Sequence, residues 1–132
     1  MPNVETSTPA NTPEPIGPYH HVAKVGSQIT IGGVAGVDPA TGQLAGDDVG
    51  SQTRQILESY RTMLASVGSD LEHVVHVSVF LGSLSDVEAM NEVGSIDEAR
   101  TSRKFSLDVI DGWLGEGVLP ADKRRLKAEL PN

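Results

Sequence analysis

Apolar and β-branched side chains alternate or cluster over residues 21–25 and 28–33, and this pattern predicts two strands. Gly26 lies between the two runs, so we expect a tight turn and an opening β-hairpin. Residues 74–81 are rich in valine and are followed by Gly82, which predicts a third, buried strand.

Apolar residues recur at steps of three and four over residues 49–67, which predicts the most regular helix of the chain. Asp47 or Asp48 is expected to cap its start, and Gly68 to follow its last turn. The same spacing over residues 84–93 predicts a second helix. The elements up to this point follow the order ββαβα.

The last third of the chain leaves two interpretations open. Alternation over residues 105–109 predicts a fourth strand, and the glycine-rich residues 111–117 predict an irregular loop after it. Residues 121–130 are strong helix formers behind Pro120, yet apolar and polar side chains alternate over residues 126–130. Propensity favours a helix here, and the pattern allows a strand.

Composition separates the first residues from the rest. Residues 1–15 hold four of the eight prolines and few large apolar side chains, so they are expected to form a flexible arm outside the core. Residues 16–132 are then most simply a single domain, because a chain of 132 residues is too short for two ordinary ones.

Charge and residue usage narrow the function classes. The net charge of -8 disfavours nucleic acid as a partner, and the absence of cysteine excludes a thiol nucleophile. We expect no membrane span and no secretory signal, which suggests a cytoplasmic protein. We expect no metal site, because His73 and His76 should diverge on a strand, and no cofactor is implied.

Several short motifs, taken together, resemble the YjgF/RidA family of imine deaminases. The resemblance covers residues 16–93, and its stretches include Ile16-Gly17-Pro18-Tyr19, Gly32-Gly33, Val37 to Gly42, the helix from Gln52, and Val79-Phe80-Leu81. It implies an α+β, chorismate-mutase-like (YjgF) fold with a mixed β-sheet and two helices packed on one face. It also implies a homotrimer whose active sites are clefts between subunits.

The resemblance assigns cleft-lining positions in the matching part. Tyr19 corresponds to the tyrosine that borders the substrate cleft, and Gly32 and Gly33 correspond to a pair whose backbone lines the pocket. Asn91 corresponds to an asparagine of the second helix. Val34 stands where the family commonly has glutamine, which alters the cleft wall.

The reactive groups implied by the resemblance fall in the divergent third. An arginine should hold the substrate carboxylate through two parallel hydrogen bonds. Arg100 has the better surrounding motif and Arg103 the better spacing, so both remain candidates. Glu129 corresponds to the glutamate that positions water and exchanges protons, provided that residues 126–130 form a strand.

The function implied by the family is hydrolysis of reactive 2-imino or enamine acids to 2-oxo acids and ammonia. Extra residues around Trp113 suggest two alternatives: a relative acting on a larger enamine such as an aminomuconate, or a non-catalytic trimer that binds small carboxylates or has a regulatory role. His20 and His21 follow Tyr19 where the family usually has small or amide side chains. Either histidine could act near the cleft or simply be a strand residue.

Overall fold

The structure, a computed structural model, describes residues 3–93, 106–111 and 125–129, the last two ranges as strands. The helices and strands in chain order are β1 (Val4–Ser7), β2 (Val22–Val25), β3 (Gln28–Ile31), β4 (Val37–Asp38), β5 (Gln43–Leu44), α1 (Val49–Ser66), β6 (His76–Leu81), α2 (87–93), β7 (Ser106–Asp111) and β8 (Arg125–Glu129). Short 3-10 turns at Leu71–His73 and Leu84–Asp86 precede β6 and α2. The chain divides into two units, residues 1–71 and 72–132.

The first unit opens with an antiparallel sheet in the order β1-β2-β3. The predicted hairpin is confirmed, since Val22 pairs with Ile31 and Val25 with Gln28 across the turn. Gly26 has φ +56, a left-handed conformation that favours glycine, and so it permits this tight connection. Val22, which is 1% exposed, is the most deeply buried residue of the sheet.

Strand β1 lies within the segment that composition predicted to be a flexible arm. It pairs antiparallel with β2, from Val4 opposite Val25 to Ser7 opposite Val22. The flexible-arm prediction rests on the average composition of residues 1–15. Residues 3–8 contain no proline, so they can form a ladder of backbone hydrogen bonds. The single domain expected over residues 16–132 stays a prediction.

A turn over residues 38–42 joins the two short strands β4 and β5. Asp38 organises the turn: its carbonyl accepts from the Gly42 amide at 2.8 Å, and its carboxylate accepts from the Ala40 amide at 2.9 Å. Gly42 has φ +74, as the last position of such a turn requires.

Helix α1 begins and ends as its sequence predicts. The Asp48 carboxylate accepts a hydrogen bond from the Ser51 amide at 2.8 Å, which satisfies one of the free amides of the first turn. Gly68, at φ +80, follows the helix, and the Ser69 amide donates to the Leu64 carbonyl at 2.9 Å. Its deepest side chains are Ser59, Met63 and Leu64.

The second unit contains a mixed sheet in the order β6-β7-β8. Strands β6 and β7 are parallel, with Val79 opposite Val109, and such a pairing requires a crossover between them. Helix α2 lies in that crossover and buries Met90 and Val93. Ser83 caps the 3-10 turn that precedes α2, and its hydroxyl accepts from the Ser85 amide at 3.2 Å.

Strand β8 decides between the two interpretations of the C-terminal segment. It pairs antiparallel with β7, placing Leu126 opposite Val109 and Ala128 opposite Leu107. The alternating pattern therefore prevails over helix propensity, because pairing along a neighbouring strand outweighs the few tenths of a kcal/mol per residue by which propensities differ. The glycine-rich residues 112–117 lie outside the described residues.

Candidate functional site

Tyr19 lies at the end of an exposed loop that connects the Pro-rich segment to β2. Its amide donates to the Gly17 carbonyl at 2.9 Å, which makes a tight local turn. A Cβ atom at Gly17 would lie 3.4 Å from the Tyr19 ring, so glycine lets the ring lie against the backbone. The tyrosine is 42% exposed and Ile16 is 98% exposed. The loop thus presents an aromatic and an aliphatic side chain to the surroundings.

His21 anchors this loop to the rest of the first unit. It is 4% exposed, and its Nε2 lies 2.6 Å from the Pro13 carbonyl oxygen. The His21 amide donates to the Thr8 hydroxyl at 3.2 Å, and the Tyr19 ring meets the imidazole edge to face at 5.8 Å between centroids. Thr8, Pro13 and Tyr19 therefore all contact one histidine, Thr8 through its backbone and the other two through its ring.

Gly32 and Gly33 directly follow β3, at the end of the hairpin where His21 precedes β2. The Gly32 amide donates to the His21 carbonyl at 2.9 Å, which extends the β2-β3 ladder by one bond. Both glycines are exposed, and a Cβ atom at Gly33 would meet nothing within 4 Å. Their backbone is thus accessible to a ligand. His21 therefore contacts two predicted site residues, Tyr19 through its ring and Gly32 through its backbone carbonyl.

Asn91 lies in the second unit, on α2 between the buried residues Met90 and Val93. Its Oδ1 atom is buried and accepts no hydrogen bond from any residue that the structure describes. A buried amide oxygen without a donor costs about 1–3 kcal/mol, so this oxygen is an acceptor available to an N–H or O–H group.

Glu129 is the last residue of β8, where the predicted catalytic role requires a strand. It pairs with Ser106 of β7, and Ser106 pairs with His76 of β6, so one register line crosses all three strands. His76 itself bonds through Nε2 to the Ser78 hydroxyl at 3.2 Å. Arg100 and Arg103, the two candidates for the carboxylate-binding arginine, lie outside the described residues.

Two described side chains away from these positions have perturbed pKa values. Hydrogen bonds from the Ser51 amide and hydroxyl lower the pKa of Asp48 at the start of α1. Burial raises the pKa of the Tyr60 phenol on the same helix. Both effects belong to the folding of α1, so neither identifies a reactive group.

Two further kinds of site are absent from the described part of the chain. No group of three or more His, Asp or Glu side chains is arranged there to hold a metal ion. No described helix is long and apolar enough to cross a membrane. The described candidates are thus the Tyr19 ring, the exposed glycines Gly32 and Gly33, the buried amide oxygen of Asn91 and the strand residue Glu129.

His21 is the residue whose place in the site was least evident from the sequence. Its position directly before a strand allowed either a reactive or a structural role, and no periodic pattern separates it from His20. In the structure His20 is exposed and its Nδ1 lies 3.1 Å from the Thr8 hydroxyl, while His21 is buried. The two adjacent histidines therefore differ in environment, and the His21 ring meets the Tyr19 ring edge to face.

Comparison with known proteins identifies the family. The family model described as endoribonuclease L-PSP matches residues 9–102, a range that includes Tyr19, Gly32, Gly33, Asn91 and Arg100. The chain belongs to the YjgF/RidA family. The resemblance drawn from short motifs is thus confirmed.

Two curated relatives show how far this family similarity extends. A RutC family protein of Pyrococcus horikoshii is 41% identical over 83 residues, which make up 63% of this chain and 66% of that protein. The human 2-iminobutanoate/2-iminopropanoate deaminase is 34% identical over 84 residues, or 64% of this chain and 61% of that protein. The matched part of the chain spans less than two thirds of either relative.

Structural similarity covers more of the chain than sequence similarity does. The crystal structure of the YjgF gene product of Escherichia coli superposes with a TM-score of 0.76 and 25% identity, covering 95% of this chain and 94% of that one. The predicted α+β YjgF fold is therefore confirmed. The YjgF/RidA fold continues where the family sequence match ends.

Proposed function

We propose that this protein hydrolyses reactive 2-imino and enamine acids to 2-oxo acids and ammonia. The observation that carries the proposal is the 34% identity, over 84 residues, to a human protein named as a 2-iminobutanoate/2-iminopropanoate deaminase. The strand assignment of Arg125–Glu129 supports it, because the family's glutamate position requires a strand at Glu129.

In this proposal the arginine binds the substrate carboxylate. A guanidinium matches a carboxylate with two parallel hydrogen bonds, and this pairing orients the imine carbon for attack. Arg100 is the preferred residue, because the family match ends at residue 102 and so includes Arg100 but excludes Arg103. Tyr19 and the exposed residues Gly32 and Gly33 shape the cleft.

Glu129 exchanges protons during hydrolysis. Its carboxylate takes a proton from water as the oxygen adds to the imine carbon, and the C=N double bond becomes a single bond. The proton then passes to the nitrogen and gives an amino alcohol. A second proton moves from the new hydroxyl to the amine, the C–N bond breaks, and ammonia leaves as the carbonyl forms. Asn91 lines the cleft in this proposal, as the family resemblance implies.

We further propose that the protein acts as a homotrimer with clefts between subunits, as the family resemblance implies. Phe80 and Val75 support an assembly, since they are 71% and 76% exposed in the single chain. Large apolar side chains at this exposure, on and beside β6, are typical of surfaces that another subunit covers.

The activity can be tested with 2-iminopropanoate generated in situ. The protein should accelerate ammonia release and reduce the amount of imine that semicarbazide traps. Heat-denatured protein provides the control. Absence of acceleration by well-folded protein would contradict the proposal.

The two arginines can be separated in the same assay. We expect Arg100→Ala to raise KM about ten- to a hundredfold, because a charged hydrogen bond contributes about 1.5–3 kcal/mol. Arg103→Ala is the matched control and should leave KM near that of the wild type. The reverse result would assign the carboxylate to Arg103.

A binding protein without catalysis is the second candidate. It is favoured by the difference between a family match that ends at residue 102 and a structural match that covers 95% of the chain. A preserved site would then raise the unfolding temperature in the presence of small carboxylates, and Arg100→Ala would abolish that rise without any measurable turnover. The larger enamine substrate depends on residues around Trp113, which lie outside the described residues.

A further inference from the structure

The contacts of His21 point to a role that no family motif assigns to it. We infer that His21 is a positioning residue, whose buried hydrogen bond to the Pro13 carbonyl fixes the loop that carries Tyr19. The kinetic part of this inference rests on the proposed function, because Tyr19 borders the substrate only if the cleft is used as proposed.

The direction of the hydrogen bond follows from its partner. A carbonyl oxygen only accepts, so Nε2 of His21 must carry the proton in the 2.6 Å contact with Pro13. Nδ1 is buried without a hydrogen-bond partner among the described residues. The imidazole therefore acts here through a single donated bond at Nε2.

The bond closes the loop between residues 13 and 21. Pro13 is buried at one end and His21 at the other, while residues 16–20 between them are exposed. A bond in a site shielded from water is stronger than an exposed one, because water does not compete for the donor or acceptor. The exposed loop is thus held at its two buried ends.

Two further contacts relate this loop to the candidate cleft. The Tyr19 ring meets the imidazole at 77° between ring planes, an edge-to-face arrangement that aromatic pairs favour. The backbone carbonyl of the same histidine accepts from the Gly32 amide at 2.9 Å. His21 consequently sets the position of Tyr19 relative to Gly32, so a shift of its ring moves one wall of the cleft against the other.

Substitutions at position 21 separate the donated bond from other properties of histidine. His21→Leu removes the donor, and we expect kcat/KM for 2-iminopropanoate to fall about ten- to a hundredfold, the scale of loss caused by an ångström-sized misplacement. His21→Gln provides an amide donor for the Pro13 carbonyl and should recover most of that loss. His20→Leu, the same change at the exposed neighbour, should alter kcat/KM by less than about twofold.

A double variant tests whether the effect passes through Tyr19. In a Tyr19→Ala background, His21→Leu should lower kcat/KM little further, since the ring that it positions is already absent. Additive losses would overturn the inference. It would equally be overturned if His21→Gln melted like the wild type yet stayed as impaired as His21→Leu, because the imidazole would then act on the reaction directly.

A spectroscopic measurement keeps the inference independent of turnover. The chain has two tyrosines, Tyr19 and Tyr60, so ¹³C-labelled tyrosine gives two sets of ring signals, which Tyr19→Phe assigns. His21→Leu should shift and broaden the Tyr19 signals and leave those of Tyr60 in place, and His21→Gln should reverse much of the broadening.

Unchanged Tyr19 signals in His21→Leu would refute the positioning role. Inactive wild-type protein with the expected spectral changes would refute only the proposed reaction.

Discussion

Two regions of the chain, residues 3–93 and the later strands β7 and β8, differ in the interactions that determine their structure. In the first part, side chains cap helix ends, glycines occupy left-handed turns, and a buried histidine closes a loop. In the second, β7 and β8 complete a mixed sheet, although the family sequence match ends at residue 102. Strand pairing thus persists beyond the end of the family sequence match.

This contrast predicts a separation of effects. Substitutions at the caps and turns of the first part should change stability and leave the reaction of the folded protein intact. Substitution of Glu129 in β8 should change the reaction and leave stability nearly intact, because a ladder of backbone hydrogen bonds does not depend on that carboxylate.

Glu129→Gln should have the largest effect. We expect kcat to fall about 10²–10⁴-fold, since an amide of the same shape cannot take a proton from water. The unfolding temperature should stay near that of the wild type. Ammonia release and thermal unfolding measure the two quantities, and Glu92→Gln on the exposed side of α2 is the matched control. A parallel fall in stability would remove the proposed separation.

Strand β8 shows why the sequence left this region open. Residues 125–129 combine high helix propensity with apolar–polar alternation, and propensity reports only on local backbone preference. The register with β7 resolves the conflict, because it pairs these residues with a strand that lies 15 (Ile110 with Arg125) to 23 (Ser106 with Glu129) positions earlier in the chain. By contrast, α1 was predictable because its periodicity, its Asp48 cap and its Gly68 terminus are all local.

The N-terminal region shows a second limit. Averaging composition over residues 1–15 concealed the proline-free strand Val4–Ser7, whose pairing depends on β2 rather than on its own apolar content. The roles of His20 and His21 were equally unpredictable, because only tertiary contacts with Thr8, Pro13 and Tyr19 distinguish two adjacent residues of the same type. Candidate residues could be named from motifs, but their mutual positions could not.

Gly36→Ala should have the largest effect on stability among the turn substitutions. A Cβ atom at this buried glycine would lie 2.7 Å from the Cα and carbonyl oxygen of Gln52, so α1 or β4 must move. We expect a loss of about 1–3 kcal/mol in the free energy of unfolding, typical of overpacking. Denaturant titration measures it, with Gly33→Ala, which has open space, as the control. Equal stabilities would mean that the contact relaxes freely.

Asp48→Asn should give a smaller, pH-dependent loss. The pKa of Asp48 is lowered below its usual value of 3.8 by bonds from the Ser51 amide and hydroxyl, so its charged form is favoured in the folded state. The stabilisation is therefore present above the unfolded pKa and is lost as the pH falls through the folded pKa. Unfolding temperatures of the two proteins should differ at pH 7 and converge in acid. For Asp47→Asn, at an exposed neighbour, the difference in unfolding temperature from the wild type should be the same at pH 7 and in acid.

Lys24→Met should have the smallest effect, and it tests whether the first part is stabilised by distributed contacts. The Lys24 ammonium donates to the Val67 carbonyl at 3.4 Å, and α1 has no basic residue in its own last turn. A cation supplied by β2 therefore interacts with the negative end of the helix and stabilises it by about 0.3–1 kcal/mol.

Methionine keeps the apolar stem and removes the charge, whereas Lys24→Arg keeps the charge. Denaturant unfolding at one fixed protein concentration should show a loss only for methionine, and the loss should shrink in high salt because ions screen the interaction. A loss independent of salt would assign the effect to packing of the stem, and a lower kcat in the folded variant would contradict the separation between the two parts of the chain.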